Sequence, residues 1–440
     1  DRKELINWLR APVKDRRMHY EDTWRATCQG RFSLTCSALR YLAKEDFWPA
    51  ERWRDALFSW GDESLRERST KWVLSIVSSM PVKNKLEVER SLASWLERIS
   101  KVHSLNKQAF FEQCSEVLEL PRKMIGGEEY SVSSAINHPV GLVTQGLLNQ
   151  WLMGKPNDRD GLAEPFKGLF TKLCDIKNTE YRYGRIVLAI QAVALYRVDS
   201  CWMEAHFLPL FSWQLNSSEA EATWNGFLLS PRSHPSFLSA MKPYISEAAG
   251  HYSELGDKQQ AFLSYLTHIA LSKLADFPAE FFQPIIAGLP HSGLLYVMES
   301  LLQSQEGAGG QREEYWASRV LPFWKEIWPK SLKLISSELG VCLSRLCVAT
   351  GDSFPEALAE VKDWLNAIER PDYTVRLLER SGLCERFPID SLEFLNLIVN
   401  GQTYAPRELI SCLEKIAASS SSLVGTPEYT RLIEYSRSNG

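Results

Sequence analysis

The residues predict an all-α chain, and three observations carry that expectation. Apolar side chains recur every third or fourth residue through most of the 440 positions, which is the spacing of one helix face. Few stretches alternate polar and apolar, and no Asn-Gly or Asp-Gly turn joins two such stretches, so hairpins are not expected. Nor do strand-like runs alternate with helices in the manner of a parallel sheet.

Taken in order, residues 62–80 carry Leu65, Trp72, Val73, Ile76, Val77 and Met80 on one predicted stripe, with Asp62 as N-cap and Pro81 as stop. The next helix presents Val88, Leu92, Trp95, Leu96, Ile99 and Val102, so the two make a helical hairpin across a proline-containing turn. A helix over 140–152 comes after His138-Pro139 and ends at Gly154. Residues 185–196 are apolar nearly all round, as expected of a helix enclosed by neighbours. Residues 259–274 set Phe262, Tyr265, Leu266 and Ile269 on one face, and 331–348 do the same with Ile335, Leu339, Cys342, Leu343 and Leu346. Short helices are expected over 355–367, 389–399, 406–417 and 427–435, the last two opening on proline. About twenty helices emerge in all by this spacing.

Helices of this size joined by short turns give pairs within the length range of solenoid repeats. No fixed-period consensus is present, so the expected architecture is an irregular array of helical hairpins, a HEAT-like α-solenoid, with compact multi-helix domains as the alternative. Breaks are expected at a loop over 120–137, with Gly126-Gly127 and Ser133-Ser134, and at a polar turn over 154–161. Gly307-Ala308-Gly309-Gly310, flanked by charge, has linker composition. The expected division is a helical array over 1–310 and a C-terminal helical subdomain over 311–440, with a lesser polar break at Ser419 to Ser422.

Fifty basic against fifty-four acidic residues leave a net charge of −4, which argues against a nucleic-acid binder. The densest basic run, Lys14-Asp15-Arg16-Arg17, is short and contains an acid. The most apolar run, 186–196, is too short to cross a bilayer, so no membrane partner is expected. Nine scattered cysteines with no CxxC pair read as reduced thiols packed as small hydrophobes, which implies a cytoplasmic protein. A start on Asp1 rather than Met, with no charged-then-apolar leader, implies a piece of a longer protein.

No constellation of catalytic, cofactor-binding or metal-ligating residues emerges, and the expected cofactor is none. The eight histidines show no HxxxH or HExxH spacing, and His138-Pro139 and His234-Pro235 read as turns before helices. Cys342 and Cys347 fall on different faces of one helix and read as core. Phosphate loops, dinucleotide fingerprints and nucleophile elbows are absent from the sequence. Glu128-Glu129 and Glu313-Glu314 suit loops or helix starts. The aromatic clusters are more individual: Trp48, Trp53 and Trp60 lie near one short helix, while Trp316, Phe323, Trp324 and Trp328 crowd YWASRVLPFWKEIWP. Core packing is the expected role, and an exposed anchor for a protein partner is the alternative.

The stretch Ala135-Ile136-Asn137-His138-Pro139-Val140-Gly141, with Leu147-Leu148 and Trp151 after it, resembles a helical domain of unknown function in bacterial antiphage proteins. The Trp-rich segment ending Ile327-Trp328-Pro329 is similar too. In that family the helical domain lies C-terminal to a sirtuin-like domain that destroys NAD. The resemblance implies a non-catalytic sensor or scaffold for this chain. It would bind a phage structural protein, or its own effector domain lying outside this sequence, and homo-oligomers are one form such an array takes. A generic HEAT-like adaptor and an all-α enzyme with a site assembled from distant residues are the competing expectations.

Overall fold

The computed structural model describes residues 1–11, 18–122, 130–274, 276–366, 368–399 and 405–438. Among them every regular element is helical and none is a strand, so the fold class is all-α as the spacing predicts. Two compact units divide the chain, Asp1–Leu255 and Gly256–Gly440. Gly256 opens the second at φ 53° and ψ −123°, a backbone that glycine tolerates and a side chain would strain.

The first unit comprises α1 Arg2–Arg10, α2 Met18–Gly30, α3 Phe32–Lys44, α4 Ala50–Trp60, α5 Arg66–Ser78, α6 Val82–Ile99, α7 Lys107–Leu118, α8 Val132–Ala135, α9 Pro139–Met153, α10 Phe166–Leu173, α11 Tyr181–Ile190, α12 Ala192–Val198, α13 Ser200–Trp202, α14 Ser217–Phe227 and α15 Pro235–Gly250. Alternate helices pack side by side: α2, α4, α6, α9, α11 and α14 form one row, and α1, α3, α5 and α7 form another. The second unit comprises α16 Gln259–Ser272, α17 Ala279–Ala287, α18 His291–Gly307, α19 Arg312–Tyr315, α20 Ser337–Ala349, α21 Phe354–Val361, α22 Asp372–Arg380, α23 Leu383–Arg386, α24 Pro388–Ile398, α25 Leu409–Ser419 and α26 Pro427–Ser438. The same alternation recurs there, with α16, α18, α20, α22 and α25 in succession.

Several boundaries move from those the sequence predicts. The helix expected from residue 62 begins at Arg66, because residues 62–65 form a turn closed by Leu65 N–H on Asp62 O at 2.9 Å. Residues 185–196 are two helices rather than one, broken at Gln191, whose φ of −106° and ψ of 15° leave the helical basin. The helix expected from 331 begins at Ser337, where Ser336 caps Leu339 N–H, and Pro406 precedes α25 instead of opening it. Residues 303–314 lie inside the second unit. α18 runs to Gly307, and Gln305 Nε2 fastens the succeeding turn by donating to Arg312 O at 2.7 Å. The turn over 154–161 is non-helical as expected and is held by Gly161 N–H on Val198 O. Of the loop expected over 120–137, α8 occupies four residues, and Gly126-Gly127 lie outside the described residues.

The centre of the first unit is α9, α11 and α14. Glycines set its spacing: a Cβ on Gly226 would lie 2.2 Å from Ile186 O, and one on Gly141 would lie 1.8 Å from Ala135 O. At the same seam Arg182 Nε and Arg185 Nε each donate to the Glu219 carboxylate at 2.7 Å, and Arg185 Nη1 also reaches Leu173 O at 2.8 Å. Arg185 and Glu219 are fully enclosed, so their charges persist inside only because each is paired and hydrogen-bonded.

Candidate protein-docking face

Helix α5 and its flanking turns direct Leu65, Val73, Ile76, Val77 and Met80 inward, and Ser69 joins them as a buried hydroxyl. Ser69 Oγ donates to Trp60 O at 2.9 Å and accepts from Trp95 Nε1 at 3.2 Å, which locks α5 to α4 and α6. The arc between Val73 and Ser69 is thereby filled. Trp72, one residue around from Val73, falls outside it and is 50% exposed, against the expectation that it joins the core.

About one helical turn beyond this tryptophan, grooves open on either side of Ser75. Between α5 and α7 lies one of about 580 Å³, bordered by Thr70, Lys71, Leu74 and Ala109. Between α3 and α5 lies another of about 420 Å³, bordered by Arg40, Ala43, Lys44, Ile76 and Ser79. Ser75 borders both. The cause is side-chain size: Ala, Ser and Thr face each other across these gaps and cannot fill them. The α3–α5 rim carries Arg40 and Lys44 against Asp46, and the α5–α7 rim carries Lys71 against Glu67; Arg40, Lys44 and Lys71 are exposed, and Lys71 Nζ lies 5.8 Å from the Trp72 ring. The bordering acids each accept one neutral donor and keep their charge, Glu67 from Ser104 Oγ at 3.2 Å and Asp46 from Trp48 Nε1 at 3.2 Å.

The aromatic clusters singled out in the sequence are core, not groove anchors. Trp48, Trp53 and Trp60 are buried, with ring centroids 5.5 Å apart for the first pair and 6.2 Å for the second. Trp316, Phe323, Trp324 and Trp328 are buried as well; Trp324 stacks on Trp328 at 5.7 Å and meets Trp364 edge-on at 5.5 Å. Their segment is widened into π-helical turns, Trp316–Val320 and Phe323–Ile327, on either side of Pro322, which lacks the N–H an α-helical ladder needs.

Cys342 and Cys347 are buried in α20, and burial pushes the Cys342 thiol up to about 11, away from reactive thiolate. His138 caps α9 by accepting Val140 N–H at 3.2 Å and stacks on Tyr183 at 3.9 Å. Burial, then the nearby Arg122 charge, takes His138 down to about 4, so it is neutral near pH 7. Glu313 and Glu314 open α19, and Glu313 accepts Arg312 Nε at 3.0 Å. Lys14 to Arg17 and Glu128-Glu129 lie outside the described residues. Among the described residues no group of three His, Cys, Asp or Glu side chains could hold a metal ion, and no helix is long and apolar enough to cross a membrane.

The heptapeptide from Ala135 to Gly141 is a packing device: His138 caps, Pro139 opens the helix, and Gly141 admits the Ala135 carbonyl. Leu147, Leu148 and Trp151 continue its buried face. No protein-family model, curated protein or solved structure matches this chain.

Proposed function

We propose that this chain is a non-catalytic recognition and scaffold region that binds a protein partner through the α3–α5–α7 face. The partner segment is an acidic amphipathic helix, laid along α5 with its apolar side against Trp72. A single observation carries this reading: the half-exposed Trp72 stands about one helical turn before Ser75, which borders two grooves that carry Arg40, Lys44 and Lys71 on their rims. Large aromatics in partly desolvated clefts supply most of the energy at protein interfaces, and complementary charge sets the orientation and speed of docking. The two-row stacking of the first unit supports an α-solenoid, an architecture that offers extended surfaces of this kind.

The resemblance to the helical domains of sirtuin-like antiphage proteins supplies the biological setting of the proposal. In that setting the partner is a phage structural protein or an NAD-hydrolysing effector domain. The test compares labelled 13-residue amphipathic peptides, matched in length to α5, with glutamate or lysine on the polar face. Anisotropy should show saturable binding of the glutamate peptide, weakened at least tenfold by Trp72→Ala and by raised salt. Equal binding of the two peptides, or undiminished binding by Trp72→Ala, overturns the assignment. Purified phage structural proteins then test the setting: retention by the wild-type chain and not by Trp72→Ala supports it, and no retention of any counts against it.

A further inference from the structure

The two grooves beside α5 differ in charge. Helices α3 and α5 run side by side in one direction: Arg68 Nη2 donates to Ser33 Oγ at 3.1 Å near their starts, and Arg40, Lys44, Ser75 and Ser79 border one groove near their ends. Arg40 and Lys44 are about one turn apart on α3, and both are exposed. Neither has an ion pair or hydrogen-bond partner among the described residues. Of the acids beside them, Glu45 pairs with Arg10, while Asp46 accepts Trp48 Nε1 at 3.2 Å and keeps its charge. Two unpaired cations against one carboxylate leave the α3–α5 groove positive. Ser75 and Ser79 donate to Trp72 O and Ile76 O at 3.2 and 2.8 Å, so recognition of an anion there falls to Arg40 and Lys44. In the α5–α7 groove the charges of Glu67 and Lys71, one turn apart on the same helix, cancel, and Thr70, Leu74, Asn106 and Ala109 around them are uncharged.

Resting on the docking reading above, we propose that the partner helix carries two carboxylates four residues apart along one edge, read by Arg40 and Lys44, and an uncharged edge towards α7. Residues four apart on a helix hold their Cβ atoms roughly 5–6 Å from each other. Arg40 and Lys44 have that same spacing on α3, so a helix laid beside them on α5 meets both cations at once. Arg40 offers a planar fork that matches one carboxylate edge-on, and Lys44 offers a compact charge that accepts the other in many orientations. The doublet also sets direction. A partner laid the opposite way along α5 turns its acidic edge towards Glu67, where like charges repel. Arg40 and Lys44 are thereby specificity-determining residues, while Trp72 supplies the apolar anchor.

The experiment is anisotropy of the full chain with three labelled 13-residue helical peptides that share one apolar face. The first places two glutamates four apart on the edge of that face, the second places the same two at the centre of the outward side, and the third replaces the edge pair by lysines. The wild-type chain should bind the glutamate-edge peptide at least tenfold tighter than either of the others. The double variant Arg40→Glu, Lys44→Glu should reverse the order and bind the lysine-edge peptide at least tenfold tighter than the glutamate-edge one. Reversing two exposed charges on α6 instead, with Lys83→Glu and Arg90→Glu, should keep the wild-type order. Both double variants should retain the wild-type helical circular dichroism. Equal wild-type affinity for the edge and outward glutamate peptides overturns the proposal, as does a preference for the glutamate-edge peptide that survives the reversal at Arg40 and Lys44. If binding in those cases is still lost in Trp72→Ala, the docking reading stands without the charge doublet; if no peptide shows Trp72-dependent binding, both fall.

Discussion

The α9–α11–α14 centre and the α3–α5–α7 row belong to one unit and are built from helices of similar length, yet one is sealed and the other open. At the centre, glycine removes side chains where backbones cross, and the enclosed Arg182, Arg185 and Glu219 satisfy one another. Along the outer row, Ala43, Ser75, Ser79 and Ala109 are also small but face gaps the helices do not close. Small residues therefore have two opposite consequences. They permit contact where a neighbouring backbone comes close, and they leave a groove where it does not.

Substitutions probe this contrast from both sides. The largest effect is expected of Glu219→Gln, which leaves Arg185 buried without a counter-charge and should cost about 4 kcal/mol in urea unfolding. If stability changes by less than about 1 kcal/mol, the seam is not the sealed region described. Gly226→Ala should cost about 3 kcal/mol, because its methyl group must displace the Ile186 carbonyl. Ser75→Ala, in the open row, should be nearly neutral by the same assay.

A smaller effect is expected from pH. His138 holds its proton only below about 4 in the folded chain, whereas an unfolded histidine titrates near 6.5. The unfolded state thus binds the extra proton between those values, so the His138 contribution is complete above about 6.5 and is lost as pH falls towards 4. Partial exposure holds the effect to about 1 kcal/mol. His138→Asn, which keeps a capping side chain, should flatten that part of the pH–stability curve, and an unchanged slope would assign it elsewhere. The smallest effect belongs to Trp72→Ala. Its stability change should stay within about 0.5 kcal/mol while peptide binding is lost, separating surface from core.

The helical class was legible because burial repeats with the helix period: Val88, Leu92, Trp95, Leu96 and Ile99 are spaced as a stripe and are all buried. The candidate docking face was not legible. Trp72 sits three residues before Ser75 and one before Val73, a position that spacing alone assigns to the edge of either face. Its exposure comes from Ser69 taking the inner place through two hydrogen bonds to other helices, partners too distant in the chain for periodicity to reveal. The available signal was Ser69 itself, a small residue three positions before the tryptophan, but a serine on a helix is ordinarily a surface residue. The reverse held for Trp316, Trp324 and Trp328, whose crowding is compatible with anchor or core until Trp364 closes against Trp324.

Local order in this protein is encoded among near neighbours. The 3.6-residue period, with Pro139 and Pro427 at helix starts, specifies helices and their apolar sides, since those depend on groups within a few residues of each other. Which apolar residues stay exposed, how Arg182, Arg185 and Glu219 meet, and that Arg40 and Ser79 border one groove were settled only when the helices packed. Those pairings join residues tens of positions apart, and their cost or gain exists only once packing has excluded water.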